Sequence, residues 1–195
     1  MKIAYCVCTP DTKGRYLAYR GELKEMFTSL KEIGYQGVEA FVRDPREMDQ
    51  VLFFSLLEQS DLELAAVGTG PIVTEDKLTL ASPDESIRTE AIKRTKAAVE
   101  NIPNLMLMID LFHLHIEDKS QAASLIEAKD YNFHVHFADN HRGIPGTGMI
   151  NFTDAVRVLK ALGYNRYISM EVEQTRDCYA AAKACFEYVD QLLKE

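Results

Sequence analysis

All five histidines, His113, His115, His134, His136 and His141, fall within residues 113–141 of a 195-residue chain. Three polar residues stand at or near the ends of the last three apolar runs: Asp110, His136 and Glu171. If those runs are parallel strands, their carboxyl ends face one common pocket, where an Asp, a His and a Glu converge as a mixed nitrogen–oxygen ligand set. Such a set suits Mn, Mg, Co or Zn rather than a soft-metal site. Structural roles compete with this reading. A carboxylate at a strand end also serves as an N-cap, which is an equal account of Asp110 taken alone. His134 and His136 share one strand face by period 2, and a strand histidine is commonly a hydrogen-bonded core residue. Glu171, following Ile168-Ser169-Met170, is harder to explain by packing, because apolar strands rarely end a buried run on Glu. Arg142, six residues after His136, either meets a substrate hydroxyl or carbonyl or forms a surface ion pair. Gly143, Gly146 and Gly148 permit a tight turn beside it, but the loop lacks the Lys and following helix of a phosphate loop.

These residues need a scaffold, and apolar runs alternate with amphipathic segments in the pattern of an α/β protein with a parallel sheet. Strands are expected at Ile3–Cys8, Gly37–Phe41, Leu62–Val67, Leu105–Ile109, Phe133–Phe137 and Tyr167–Val172. Leu23, Met26, Phe27, Leu30 and Ile33 recur at helical spacing before a Gly34 stop. Asp44-Pro45-Arg46-Glu47 reads as an N-cap, first-turn proline and capping box for a helix carrying Val51, Leu52, Phe54, Leu56 and Leu57. Ser82-Pro83-Asp84-Glu85 repeats that signature before a helix running to about Val99. Gly68-Thr69-Gly70-Pro71 reads as a loop. Further helices are expected at about Lys119–Ala128 and Asn151–Leu162, and at the end of the chain. That makes six strand–helix units in a single domain, 1–195, with no linker or low-complexity stretch.

Composition narrows the function. The chain is 47% hydrophobic and 27% charged, which excludes disorder and collagen-like or disulfide-stapled scaffolds. A net charge of −8 disfavours a nucleic-acid partner. Cys6, Cys8, Cys178 and Cys185 lack zinc-site spacing and read as reduced thiols of a cytoplasmic protein. No apolar run is long enough for a membrane span, and no signal-peptide pattern opens the chain.

Several segments resemble the xylose-isomerase-like sugar isomerase/epimerase family, nearest to ketose 3-epimerases of the tagatose/psicose type. They are His134 to Arg142 (HVHFADNHR), Pro145 to Phe152 (PGTGMINF), Leu162-Gly163-Tyr164, Ile168 to Glu171 (ISME) and Leu107 to His113 (LMIDLFH). Ile33 to Glu39, Thr69-Gly70-Pro71 and Ser82-Pro83-Asp84 extend the likeness along the chain. The resemblance implies a TIM barrel, with Asp110, His136 and Glu171 as ligands of a divalent metal (Mn, Co or Mg, with Zn as a further option). It implies that His113 and Arg142 contact a sugar near its carbonyl, and that Glu171 is one of two acid/base carboxylates moving a proton at C3 through an enediolate. The related reading within enzymes is a hydroxypyruvate-isomerase-like aldose–ketose isomerase.

One departure accompanies the likeness. The family's barrel has eight βα units and this chain has six, about fifty-five residues short of the roughly 250 typical of the fold. The missing fourth and fifth units fall at a junction near residues 100–103 and would carry the second catalytic Glu. The expectation is therefore an incomplete barrel with an open flank. A second copy of the chain would cover that flank by association or exchange of elements, making a homo-oligomer. The alternative to an enzyme is a non-catalytic truncated barrel or assembly unit.

Overall fold

The computed structural model describes all residues except 15–16, 80–81, 100–106 and 175–176. The expected junction near 100–103, and the start of the fourth strand at 105, lie outside the described residues. Six strands form one parallel sheet: β1 Lys2–Cys8, β2 Gly37–Phe41, β3 Glu63–Gly68, β4 Leu107–Asp110, β5 Asn132–Phe137 and β6 Tyr167–Met170, in the order β3-β2-β1-β6-β5-β4. The pairing of β1 with β6 brings the first and last strands together, as a barrel requires. No pairing joins β3 to β4 among the described residues. The sheet is a curled half-barrel with helices around it, TIM-barrel-like and incomplete.

Alternation along each strand sorts the residues between two layers. The outer face carries Ile3, Tyr5, Val7, Val38, Ala40, Ile109, Val135, Phe137, Ile168 and Met170, which join one large buried cluster beneath the helices. That cluster includes Leu23, Met26, Phe27 and Leu30 of α1 (Leu23–Ile33) and Phe152, Ala155, Val156 and Leu159 of α7 (Phe152–Ala161). The inner face carries the polar residues: Cys6 of β1 pairs in register with Glu39 of β2, and His136 of β5 with Ser169 of β6. Met108 of β4 shares the inner face with Asp110 and is 48% exposed, because β4 ends the sheet on that side.

Gly34 closes α1 at φ +120°, with its N–H donating to the carbonyls of Leu30 and Lys31. Several local expectations need correction. Asp44 caps only a 3-10 turn, Pro45–Glu47, and the Glu47 carboxylate pairs with Arg43 (2.5 Å) instead of completing a capping box. Helix α2 starts at Gln50 under a cap from Asp49 and ends at Gln59. Its buried face is Phe53, Leu56 and Leu57, while Val51, Leu52 and Phe54 face outward. The helix thus starts five residues later than expected, at Gln50 rather than Pro45. Thr69 to Pro71 opens a short helix, α3 (Gly70–Thr74), and a further helix, α5 (Leu111–Glu117), begins directly after β4. Strand β6 stops at Met170, so Glu171 lies just beyond it. Helices α4 (Glu85–Val99), α6 (Gln121–Glu127) and α8 (Cys178–Lys194) complete the layer. Arg94 of α4 reaches Asp44 (3.3 Å) and Asp76 (3.0 Å), and Arg43 shares Asp76. This largely buried network ties α4 to the ends of β2 and β3.

Gly34→Ala tests the closure of α1. A Cβ there would lie 2.7 Å from Cζ of Phe186 and hold an alanine in the left-handed region. The expected cost is about 1–3 kcal/mol, read as a lower urea midpoint with an unchanged slope.

Candidate active site

The candidate site residues sit where β4, β5 and β6 end. His136 takes the inner face near the end of β5, and Asp110 ends β4 in register with it. Asp110 is an N-cap, and its second oxygen is left for other partners. Its Oδ1 accepts from the N–H of Phe112 (2.9 Å) and so caps α5, while its Oδ2 faces the pocket. One donor atom from each of Asp110, His136 and Glu171 lies within 4.8 Å of the others.

Arg142 joins them from the following loop. Its Nη1 is 2.7 Å from Asp110 Oδ2 and also donates to Glu171 Oε2, so the guanidinium bridges the two carboxylates. It rests 4.1 Å from the ring centre of Phe112, and its Nη2 is 3.0 Å from His113 Nε2. Arg142 is thus no plain surface ion pair, since only 15% of its side chain is exposed. His113 is largely exposed at the rim, where an incoming molecule would meet it. His115 and His141 are exposed.

The backbone holds Arg142 in this position. Its φ is +58°, an uncommon conformation for a residue with a side chain. Asp139, wholly buried, sets the turn around it. Oδ1 of Asp139 accepts from the N–H groups of Asn140 (2.8 Å) and Ile150 (3.2 Å), and Oδ2 from those of Gly146 (3.0 Å) and Gly148 (2.7 Å). Burial opposes the charge of this carboxylate, but the four N–H donors hold its pKa below the ordinary value. A side chain at Gly148 would collide with Asp139 and Asn140, which accounts for the glycine.

The sequence offers Glu39 only as a carboxylate near the end of strand two that does not match the family's motif, and the structure brings it to the site. It is buried inside the half-barrel, and its Oε2 accepts from His136 Nε2 (2.7 Å) and lies 3.0 Å from His134 Nε2. The available signal was a Glu on the inner face of an otherwise apolar strand. Burial would raise the pKa of Glu39, but His136 and His134 outweigh it and hold the group well below the carboxylate range. Burial would lower that of His136, but Glu39 and Glu171 outweigh it and raise it. His134, bonded to Glu39 and to Ser169 Oγ (2.8 Å), is the hydrogen-bonded core histidine of the bland reading.

The donor set fits a divalent cation. Two carboxylate oxygens and an imidazole nitrogen converge, and a positive group already lies between the carboxylates. Nδ1 of His136 is buried, 3.3 Å from Glu171 Oε2, and makes no contact of hydrogen-bond geometry. Such a nitrogen suits a metal better than a packed core.

The chain is similar in part to known proteins. The family model described as xylose isomerase-like TIM barrel matches residues 95–189. The 3-dehydro-D-guloside 4-epimerase of Escherichia coli (strain K12) is 33% identical over 110 residues, 56% of this chain and 42% of that protein. The L-ribulose 3-epimerase of Methylomonas sp. (strain DH-1) is 37% identical over 71 residues, 36% of this chain and 25% of that protein. The chain therefore spans less than half the length of these curated relatives. A crystal structure of D-allulose 3-epimerase from Methylomonas sp. superposes with a TM-score of 0.72 at 17% identity, over 99% of this chain and 98% of that one, which shows a shared fold.

Asp139→Asn tests the loop. An amide offers one oxygen, so at least two N–H groups lose a charged acceptor, at an expected cost of about 2–3 kcal/mol in urea unfolding. The native pKa lies below the unfolded one, so the carboxylate's contribution is present above the unfolded value of about 4. The difference between wild type and variant therefore shrinks as pH falls below about 4.

Proposed function

We propose that this chain, a relative of the xylose isomerase-like sugar epimerases and isomerases, moves a proton at the carbon next to a ketose carbonyl, the chemistry of 3-epimerisation. The observation that carries this reading is the convergence of Asp110, His136 and Glu171 at three adjacent strand ends, with Arg142 between the carboxylates. These three residues would hold Mn, Co or Mg, with Zn as a further option. A divalent cation there supplies positive charge beside the ketose oxygens and so eases loss of the neighbouring C–H proton.

This chain's own groups do the rest. Arg142 and His113 orient the sugar by donating to its carbonyl and hydroxyl oxygens. The guanidinium must then leave at least one of its carboxylates, because metal, sugar and Arg142 draw on the same oxygens. Glu171 takes the proton from C3 on the face it lines and can return it there. Inversion needs a second carboxylate on the opposite face, and the resemblance implies that this Glu belongs to the units missing from this half-barrel. The chain thus exchanges the C3 proton faster than it inverts the centre.

A panel of ketoses, free and phosphorylated, in D2O with Mn, Co or Mg tests this by mass spectrometry and chromatography. Deuterium is expected at C3 with little epimer formed, and Asp110→Ala is expected to abolish both metal binding and exchange. Arg142→Gln is expected to bind the metal about tenfold more tightly, its competing charge being gone, while losing exchange. A chain that binds no divalent metal and labels no ketose is a non-catalytic unit, and the reading fails.

A second copy of the chain covers the open flank, where β3 and β4 each present an edge unpaired among the described residues and Met108 is half exposed. Such parallel edges take on another strand readily, by association or exchange of elements. Light scattering on the purified protein is expected to give at least a dimer, and a well-folded monomer overturns this arrangement. The sugar-binding role needs no nucleic acid or membrane, and no helix among the described residues is long and apolar enough to cross one. Free cysteines at 6, 8, 178 and 185 support a reducing, cytoplasmic setting.

A further inference from the structure

We infer that Glu39 is a positioning residue for His136, deciding which imidazole nitrogen faces the site; this rests on the divalent-cation reading of Asp110, His136 and Glu171. A carboxylate is an acceptor only, so the 2.7 Å contact between Glu39 Oε2 and His136 Nε2 requires the hydrogen on Nε2. A metal that binds this imidazole must displace any hydrogen on Nδ1 and take the lone pair there, since Nε2 stays with Glu39. That nitrogen is buried, lacks a hydrogen-bond partner and lies beside Glu171. The orphaned atom is thus the one the site needs as a donor of electrons.

The surroundings hold Glu39 to this task. His134 Nε2 approaches the same Oε2 from β5, two residues from His136, and is itself braced by Ser169. Two imidazole N–H groups on one oxygen call for a carboxylate. A glutamine would satisfy the pair with its carbonyl only by turning its NH2 elsewhere in a buried space, and an apolar residue would leave both unpaired. The same geometry separates two clusters that could hold a cation. Cys6, Glu39 and His136 form one, and Asp110, His136 and Glu171 the other. The first would need the Nε2 that Glu39 keeps protonated, so the second is the cation site. Histidine ligands commonly donate their other N–H to a carboxylate, which orients the ring and raises its basicity.

Zinc titration of the 15N-labelled full chain, followed in long-range proton–nitrogen spectra, tests this with the metal alone. His136 Nδ1 is expected to move to the metal-bound range while Nε2 keeps its hydrogen. Glu39→Gln is expected to weaken zinc binding about ten- to a hundredfold with an unchanged circular dichroism spectrum, and Glu39→Asp to recover part of the loss. Binding through Nε2, or wild-type affinity in Glu39→Gln, overturns the role of Glu39. If Asp110→Ala loses zinc while Glu39→Gln does not, the inference falls and the cation site stands. If the wild type takes up no zinc, both fall. Should Glu39→Gln fail to fold, the wild-type spectrum decides by which nitrogen responds.

Discussion

Three carboxylates crowd the mouth and interior of this half-barrel, and the structure depends on how their charge is neutralised. Glu39 lies inside among histidines, while Asp110 and Glu171 share one guanidinium. Removing a carboxylate from water is costly unless charge and hydrogen bonds compensate. Here His136 links the two levels, with Nε2 turned to Glu39 and Nδ1 toward Glu171. Protonation and movement of Arg142 therefore act on one connected set of groups, and a change at any member shifts the others.

The loop after β5 turns this electrostatic demand into geometry. Arg142 could not bridge Asp110 and Glu171 from an ordinary strand or helix position. It reaches them because Asp139 gathers four backbone N–H groups and forces a turn in which residue 142 is left-handed. The N–H of Glu173 donates to the Arg142 carbonyl (2.7 Å), tying the segment after β6 to that turn. Glycines at 146 and 148 are therefore a requirement of a carboxylate-centred loop.

The sheet was legible because strands in an α/β fold are short, apolar and punctuated. Five of the six were expected to within a residue or two at each end, and Asp110, His136 and Glu171 followed from their places at strand ends. Asp49 displaced Asp44 as the cap of α2 because the Arg43 and Arg94 ion pairs claim the residues around Asp44, and such tertiary competition leaves no local trace. Helix α5 escaped because Asp110 does two jobs, and a strand-end carboxylate does not announce that one oxygen will cap a helix. Glu39 was visible as a residue but not as a partner, because its meaning comes from histidines 95 and 97 positions away.

The seam between β1 and β6 has a consequence for how the chain reaches this state. Each half of the sheet, β1–β3 and β4–β6, is assembled from neighbours in sequence, whereas β1 meets β6 across more than 160 residues. Closing so long a loop loses more entropy than the local pairings do, so topology favours two three-stranded wedges that form early and dock late. Until they dock, the β1 and β6 edges are bare as well as those of β3 and β4, and Glu39 has no histidine beside it. Maturation of the active centre and protection from misassembly are thus one event, the joining of the chain's two ends in the middle of its sheet.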